Sequence, residues 1–346
     1  MAGQQIPSLD GLRAVSVMIV LLSHFVSARL FPGGLGVYIF FVISGFLITR
    51  LLLAEGKKTG RISLPKFYAR RALRLLPVVV VYTLGVLAIC VLTGARIRWI
   101  EPTGAVFYFA NYVYAPIVEG SPATQMPFVP LWSLSVEEHF YFLLPAALVL
   151  LRRRPDRILW LMGFICVACL GYRLAAALIH PDLVGTRFFY YRTECRLDSL
   201  AYGVALAAAC EIPAGRRLLQ RLANNVTLAA GLLLLAVSLL VRDDLFRQTL
   251  RYSVQGLAIA GIICAVVFRG GAVPRFLNLP AVRYVGILSY SLYVWSLMAE
   301  ILVGNAHLPR GAEIGALFLG SFVLAYASYR LLERPLAGLR HRLAVA

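Results

Sequence analysis

An all-α bundle crossing a membrane about ten times, forming one domain over residues 1–346, is the fold this sequence predicts, and three observations predict it. Hydrophobic residues make up 60% of the chain and charged residues 14%, with a mean hydropathy of +0.78. Soluble domains sit near half apolar and a quarter charged. Apolar runs of bilayer-spanning length recur along the whole chain, and Lys and Arg gather in every second connection between them.

The runs lie near residues 11–29, 34–53, 75–93, 135–151, 157–178, 197–211, 223–241, 252–268, 284–303 and 313–332. The sixth is short for a full span. The connection after the second holds Lys57, Lys58, Arg61, Lys66, Arg70, Arg71 and Arg74. Later even-numbered connections hold Arg152–Arg154 with Arg157, then Arg216, Arg217 and Arg221, then Arg269, Arg275 and Arg283. The intervening connections are poorer in positive charge, so both termini are expected in the cytoplasm. This alternation also explains the net charge of +18. The charge follows the membrane, so nucleic acid is not an expected partner. Residues 104–118, GAVFYFANYVYAPIV, are aromatic but short, and fit an interfacial or re-entrant segment on the outer side. Their rings suit either an aromatic belt at the headgroups or a stacking surface for a sugar.

The first run opens without the basic segment or the small-residue cleavage site of a secretory signal, and reads as a retained helix. It carries Arg13 and His24, eleven positions apart. At about 100° per residue they return to within roughly 20° of one face, about 16 Å apart along the axis. Ionisable groups inside a membrane are costly, so a stripe of two suggests a polar path through protein. A neutral imidazole can take a proton from a hydroxyl near neutral pH and return it. A core histidine bonding neighbouring helices is the structural alternative.

At the entrance to the third run, LPKFYARRALRLLP places Arg70 and Arg74 on one helical face with Arg71 beside them. Such a set can fork around phosphates or anchor lipid headgroups. The fourth run, PLWSLSVEEHFYFLLP, brings Glu137 and Glu138 into its first turn, to complement the helix dipole or to orient an imidazole such as His24. Arg192, Glu194, Arg196 and Asp198 crowd the outer entrance to the sixth run, either as internal ion pairs or as an acceptor-binding site. Of the six cysteines, Cys166 and Cys169 form a CxxC inside an apolar run, where packing outweighs redox or metal chemistry. No disulfide framework and no metal site are predicted.

The stretches LDGLRAVSVMIVLLSHF, GGLGVYIFFVISGFLIT, FYARRALRLLP, LWSLSVEEHFYFLLP, RLDSLAYG, SYSLYVW and the terminal ERP occur in an order that resembles the membrane-bound acyltransferase family 3. The resemblance covers essentially the whole chain. It implies a bacterial inner-membrane enzyme that moves an acyl group, acetyl first, from cytosolic acyl-CoA to a hydroxyl. Family acceptors are cell-envelope or exported carbohydrates, or glycosylated metabolites. It assigns catalysis to His24 with Arg13 and Glu137, acyl-CoA phosphate contacts to Arg70, Arg71 and Arg74, and makes Arg196 and Asp198 candidates for acceptor binding. Asp10 falls in its DGLR stretch, where helix N-capping is an equal reading. No permanently bound cofactor is implied, and the oligomeric state stays open. Two positions depart from the family pattern: Tyr38 stands where an acid is usual, and Ser296 where a histidine is common. The soluble transferase domain fused in some relatives is not expected in this sequence. A transporter of envelope components also suits ten spans, although neither inverted repeats nor Gly/Pro-broken span pairs are visible. A membrane scaffold, indifferent to loss of the arginine cluster, is the third reading.

Overall fold

Each of the ten apolar runs becomes a helix in the computed structural model, which describes residues 6–115, 127–304, 306 and 308–345. The long helices are α1 (Pro7–Phe25), α2 (Gly33–Thr59) and α3 (Leu64–Thr93). Two short ones follow, α4 (Ile100–Val106) and α5 (Ala110–Tyr114), then α6 (Trp132–Leu150) and α7 (Pro155–Ile179). The single turn α8 (Phe188–Tyr191) precedes α9 (Leu197–Ala209), α10 (Pro213–Leu222), α11 (Asn225–Leu240) and α12 (Asp244–Gln248). The chain continues through α13 (Leu250–Phe268), α14 (Ala272–Leu277), α15 (Pro280–Val303), α16 (Arg310–Ser328) and α17 (Arg334–Val345). No β-strand element occurs among the described residues. The chain is an all-α polytopic membrane protein.

The span count is lower than ten by length. Among the described residues eight helices are long and apolar enough to cross a bilayer, and nine if α9 and α10 are taken as one bent span. α9 has 13 residues, and α10 leaves it at 110° after the break at Cys210–Ile212. α11 has 16 residues, about 24 Å of helix. Both are short of the roughly 30 Å hydrocarbon core, so the sixth and seventh runs are helices in the expected places but not full-length spans. Residues 104–115 do not cross either. They form parts of α4 and α5, of 7 and 5 residues, and Pro116–Val118 of that stretch lie outside the described residues.

The bundle is built around α1, which packs between α2 and α15, while α2 packs on α9 and α16 on α15. Consecutive long helices alternate in direction, which gives the bundle two ends. The near end holds the start of α1 and the connection between α2 and α3, and the far end holds the close of α1 with α4 and α5. Lipid-facing side chains such as Trp160, Phe164 and Val167 on α7 and Leu319 and Val323 on α16 are exposed apolar groups, as expected where the solvent is hydrocarbon. Small residues bring the inner helices close together. A Cβ on Gly203 of α9 would stand 1.9 Å from the carbonyl oxygen of Val42, and one on Gly45 of α2 would stand 2.2 Å from that of Leu200. These atoms are backbone and cannot rotate away. Gly203→Val is therefore expected to force α2 and α9 apart and cost more than the roughly 1–3 kcal/mol of ordinary overpacking. The yield of monodisperse, detergent-solubilised protein is the measurement, and a wild-type yield would contradict this packing.

Candidate active site

α1 begins at Pro7, one turn before its apolar run, and the backbone at Ile6 rather than Asp10 occupies the N-cap position. Asp10 therefore lies inside the first turn, and the capping reading does not hold. Arg13 follows near the end of the second turn and opens into a cavity bounded by α1, α2, α3, α6 and α15. The cavity encloses about 770 Å³ of atom-free space, counting the part open to solvent. Arg71, Arg74, Ser44, Glu137, Tyr141 and Tyr290 are among the side chains that line it.

The three arginines of α3 do not act as one face. Arg71 donates to Glu138 Oε1 through Nε at 3.0 Å and Nη2 at 2.6 Å, and its guanidinium lies 3.7 Å from the centre of the Tyr141 ring. Arg70 turns away from the cavity to Glu55 at 2.7 Å and to the backbone oxygen of Leu343 at 3.3 Å. Arg74 lines the cavity, and neither it nor Arg13 makes a hydrogen bond or ion pair among the described residues. Two guanidinium groups without a direct ion pair among the described residues thus face one pocket, beside the Arg71–Glu138 pair and with Asp10 and Glu137 nearby. The pairing of Arg70 with Arg74 expected from helical spacing gives way to Arg71 with Arg74. Long side chains reach for the carboxylates near them, and Glu55 on α2 draws Arg70 aside.

α6 starts at Trp132, earlier than the sequence suggests, after a short 3₁₀ turn over Val129–Leu131. Glu137 and Glu138 consequently sit in its second turn, and the dipole role expected of them is weaker there. Glu137 faces Arg71, Ser44 and Arg13 inside the cavity. It is not the carboxylate at His24. His24 occupies the last turn of α1 at the far end and does not line the cavity. Its carboxylate neighbour is Glu300 on α15, with Nδ1 to Oε1 at 3.8 Å. About 16 Å of α1 separates Arg13 from His24. The structure therefore unites Arg13, Arg71, Arg74 and Glu137 in one cavity, and sets Arg70 and His24 outside it.

Arg196 and Asp198 are both buried, at 1% and 0% exposure, and neither lines the cavity. Asp198 accepts from Arg173 Nη2 at 2.7 Å, and the same guanidinium donates to the carbonyl of Cys195 and to Ser253. Arg196 lies among aromatic faces, 4.2 Å from the ring centre of Tyr252 and 5.0 Å from that of Tyr38. Its Nε and Nη1 have no hydrogen-bond partner among the described residues. The cation is held by π faces, and Tyr38, where the family pattern has an acid, supplies one of them. The Tyr38 hydroxyl donates to the backbone of Tyr252 at 2.7 Å. Ser296, the second departure, bonds back to the carbonyl of Tyr293 at 2.9 Å. For Asp198 the geometry supplies the internal ion pair of the two alternatives.

The other two charges of that stretch stand nearer the far-end surface. Arg192 and Glu194 pair at 2.5 Å, and Glu194 also accepts from Tyr112 of α5 at 3.0 Å. Burial pushes the Tyr112 phenol above its ordinary range, which keeps it a donor. The Tyr112 ring lies 5.8 Å from that of His139, whose Nδ1 meets the Thr193 hydroxyl at 2.7 Å. The sequence reading did not single out His139, because a histidine beside two glutamates in an apolar run carries no spacing signal. Among the described residues no cluster of three or more His, Cys, Asp or Glu side chains is placed to hold a metal ion.

The chain is 29% identical over 349 residues, 95% of its length, to the "Putative O-acetyltransferase SACOL0978" of Staphylococcus aureus strain COL. It is 28% identical over 348 residues, 96% of its length, to the O-acetyltransferase OatA of Staphylococcus aureus strain NCTC 8325. It spans 57% of the length of each of these relatives. No solved structure matches it. The family model described as "Acyltransferase domain", acyltransferase 3, matches residues 6–330, and the chain belongs to that family.

Proposed function

We propose that this protein is an integral O-acyltransferase of the bacterial cytoplasmic membrane. It takes an acetyl group from cytosolic acetyl-CoA and places it on a hydroxyl of a cell-envelope or exported carbohydrate, or of a glycosylated metabolite. The observation that carries the reading is a cavity, flanked by the helix that ends in His24, into which Arg13 and Arg74 face without a direct ion pair among the described residues. Phosphates of an acyl-CoA suit such groups, because charge-assisted bonds to guanidinium are strong and directional. The Lys/Arg-rich near end is read as cytoplasmic, which puts donor entry there and His24 toward the outer surface. An acceptor hydroxyl then meets the thioester at His24. The names of the O-acetyltransferase relatives support the reaction class.

The chemical step needs a base for the hydroxyl proton and a path for the acyl group along α1. His24 supplies the base, and Arg13 steadies the donor below it. The test uses membranes of the native host given labelled acetyl-CoA, with label measured in envelope carbohydrate and in secreted glycosides. Wild-type membranes are expected to move label into an ester that mild alkali releases. Absence of such label overturns the reading. In the same assay Arg74→Ala is expected to raise the KM for acetyl-CoA by about 10–100-fold, the loss of one charge-assisted contact of about 1.5–3 kcal/mol. Arg70→Ala should leave that KM within about threefold, since Arg70 serves Glu55 rather than the cavity. An equal effect of the two substitutions would remove the cavity from the donor site.

A further inference from the structure

We propose that Glu300 is the positioning residue for His24: its carboxylate holds the imidazole through Nδ1, so that Nε2 is presented to the acceptor hydroxyl. The inference rests on the acyl-transfer reading and names the group that orients its base. His24 Nδ1 and Glu300 Oε1 are 3.8 Å apart, with side chains 33% and 39% exposed. They sit in the last turns of α1 and α15, two helices that run in the same direction and pack along one another. Among the described residues Glu300 makes no ion pair with a lysine or arginine, so its charge has no other use.

The end of α1 is fixed independently. Arg310 Nη2 donates to the carbonyl of Phe25 at 2.7 Å and to that of Val26 at 3.3 Å, while its Nη1 pairs with Glu313 at 2.9 Å. The Phe25 ring meets that of Phe318 edge to face at 5.2 Å. Position 24 is thereby anchored through its neighbour, and the Glu300 carboxylate has only the ring to set. At 3.8 Å the two groups face each other at a distance longer than a hydrogen bond. Catalytic contacts of this kind tighten when substrate is bound.

The step balances with these groups alone. The acceptor oxygen forms a bond to the thioester carbonyl carbon as its proton passes to His24 Nε2. The carbon–sulfur bond then breaks, and the imidazolium returns the proton to the departing thiolate. The Glu300 carboxylate stabilises the imidazolium while it exists. A merely structural ion pair at this exposure contributes little to stability.

The experiment uses the full chain in native-host membranes with labelled acetyl-CoA and endogenous acceptors, and compares wild type, Glu300→Gln, Glu300→Asp, His24→Gln and the Glu300→Gln/His24→Gln double variant. Glu300→Gln is expected to lower the maximal rate on the order of 10²-fold, with the KM for acetyl-CoA and the thermal midpoint unchanged. Glu300→Asp should recover part of the rate. The double variant should be no slower than His24→Gln, because two groups acting as a unit are not additive. If Glu300→Gln retains the rate within about twofold, if Asp rescues nothing, or if the double variant is additive, the positioning role is overturned while acyl transfer stands. If wild-type membranes move no label, the acyl-transfer reading fails and takes this one with it.

Discussion

Asp198→Ala is expected to destabilise the protein by about 3–5 kcal/mol, because it strands the Arg173 guanidinium inside the bundle. Both side chains are fully enclosed, and their contact is 2.7 Å. Arg173 belongs to α7, Asp198 to α9, and the guanidinium also reaches Ser253 on α13 and the carbonyl of Cys195. One cation therefore ties three helices together. Removing its counter-ion leaves a charge that neither water nor lipid can solvate. Asp198→Asn should cost less, since an amide oxygen can still accept from Nη2. Arg173→Leu combined with Asp198→Leu should recover most of the loss, as no isolated charge remains. The thermal midpoint of detergent-solubilised protein is the measurement, with a drop of roughly 5 °C expected for the alanine variant. A wild-type midpoint in that variant would mean that Asp198 is uncharged or reached by solvent, which would return it to the acceptor site.

This pair shows what could be read from the sequence and what could not. Helix positions were legible, since each apolar run is a strong one-dimensional signal and the bilayer admits few alternatives. Length was less so. α9 and α11 are mostly apolar, yet the chain turns after Ala209 and after Leu240 before a full span is complete. Composition does not register where an apolar run stops being helical. The start of α6 was also hidden, because its cap position holds Leu131, which cannot cap, while Ser133 and Ser135, which could, lie inside the helix.

Partners were the least legible layer. In the sequence Asp198 reads first as a mate for the charges beside it and second as a ligand contact, and its actual mate lies 25 positions upstream in another helix. Glu137 reads as the acid for His24 because both were placed toward the outer side. The packing puts it deeper, opposite Arg13, and the acid at His24 comes from a residue 276 positions away. One signal for it exists in the sequence: the first and ninth runs cross in the same direction, and His24 and Glu300 each stand near the closing turn. Depth matching of ionisable residues between like-directed spans would have suggested that pair. It would not have separated Arg71 and Arg74 from Arg70, because that choice depends on the reach of Glu55 across the bundle.

His24→Gln is expected to reduce acyl transfer by about 10²–10⁴-fold, the contribution of a positioned general base, or about 3–5 kcal/mol of barrier. Glutamine is close to the imidazole in size and keeps a polar end at the close of α1, so packing against Glu300 survives. Stability should change by less than about 1 kcal/mol, since the ring is partly exposed and its ion pair is screened. Acetyl-CoA binding should also persist, because the cavity with Arg13 and Arg74 lies on the near side of His24 and does not include it. The two consequences are measured separately, by label transfer from acetyl-CoA and by the thermal shift that acetyl-CoA induces. Loss of transfer with an undiminished shift is the result that assigns His24 to the chemical step. Loss of both would move His24 into the donor site, and full transfer by a folded variant would end its role as the base. The comparison with Arg74→Ala closes the argument, for that change should weaken the shift while leaving the rate at saturating donor nearly intact.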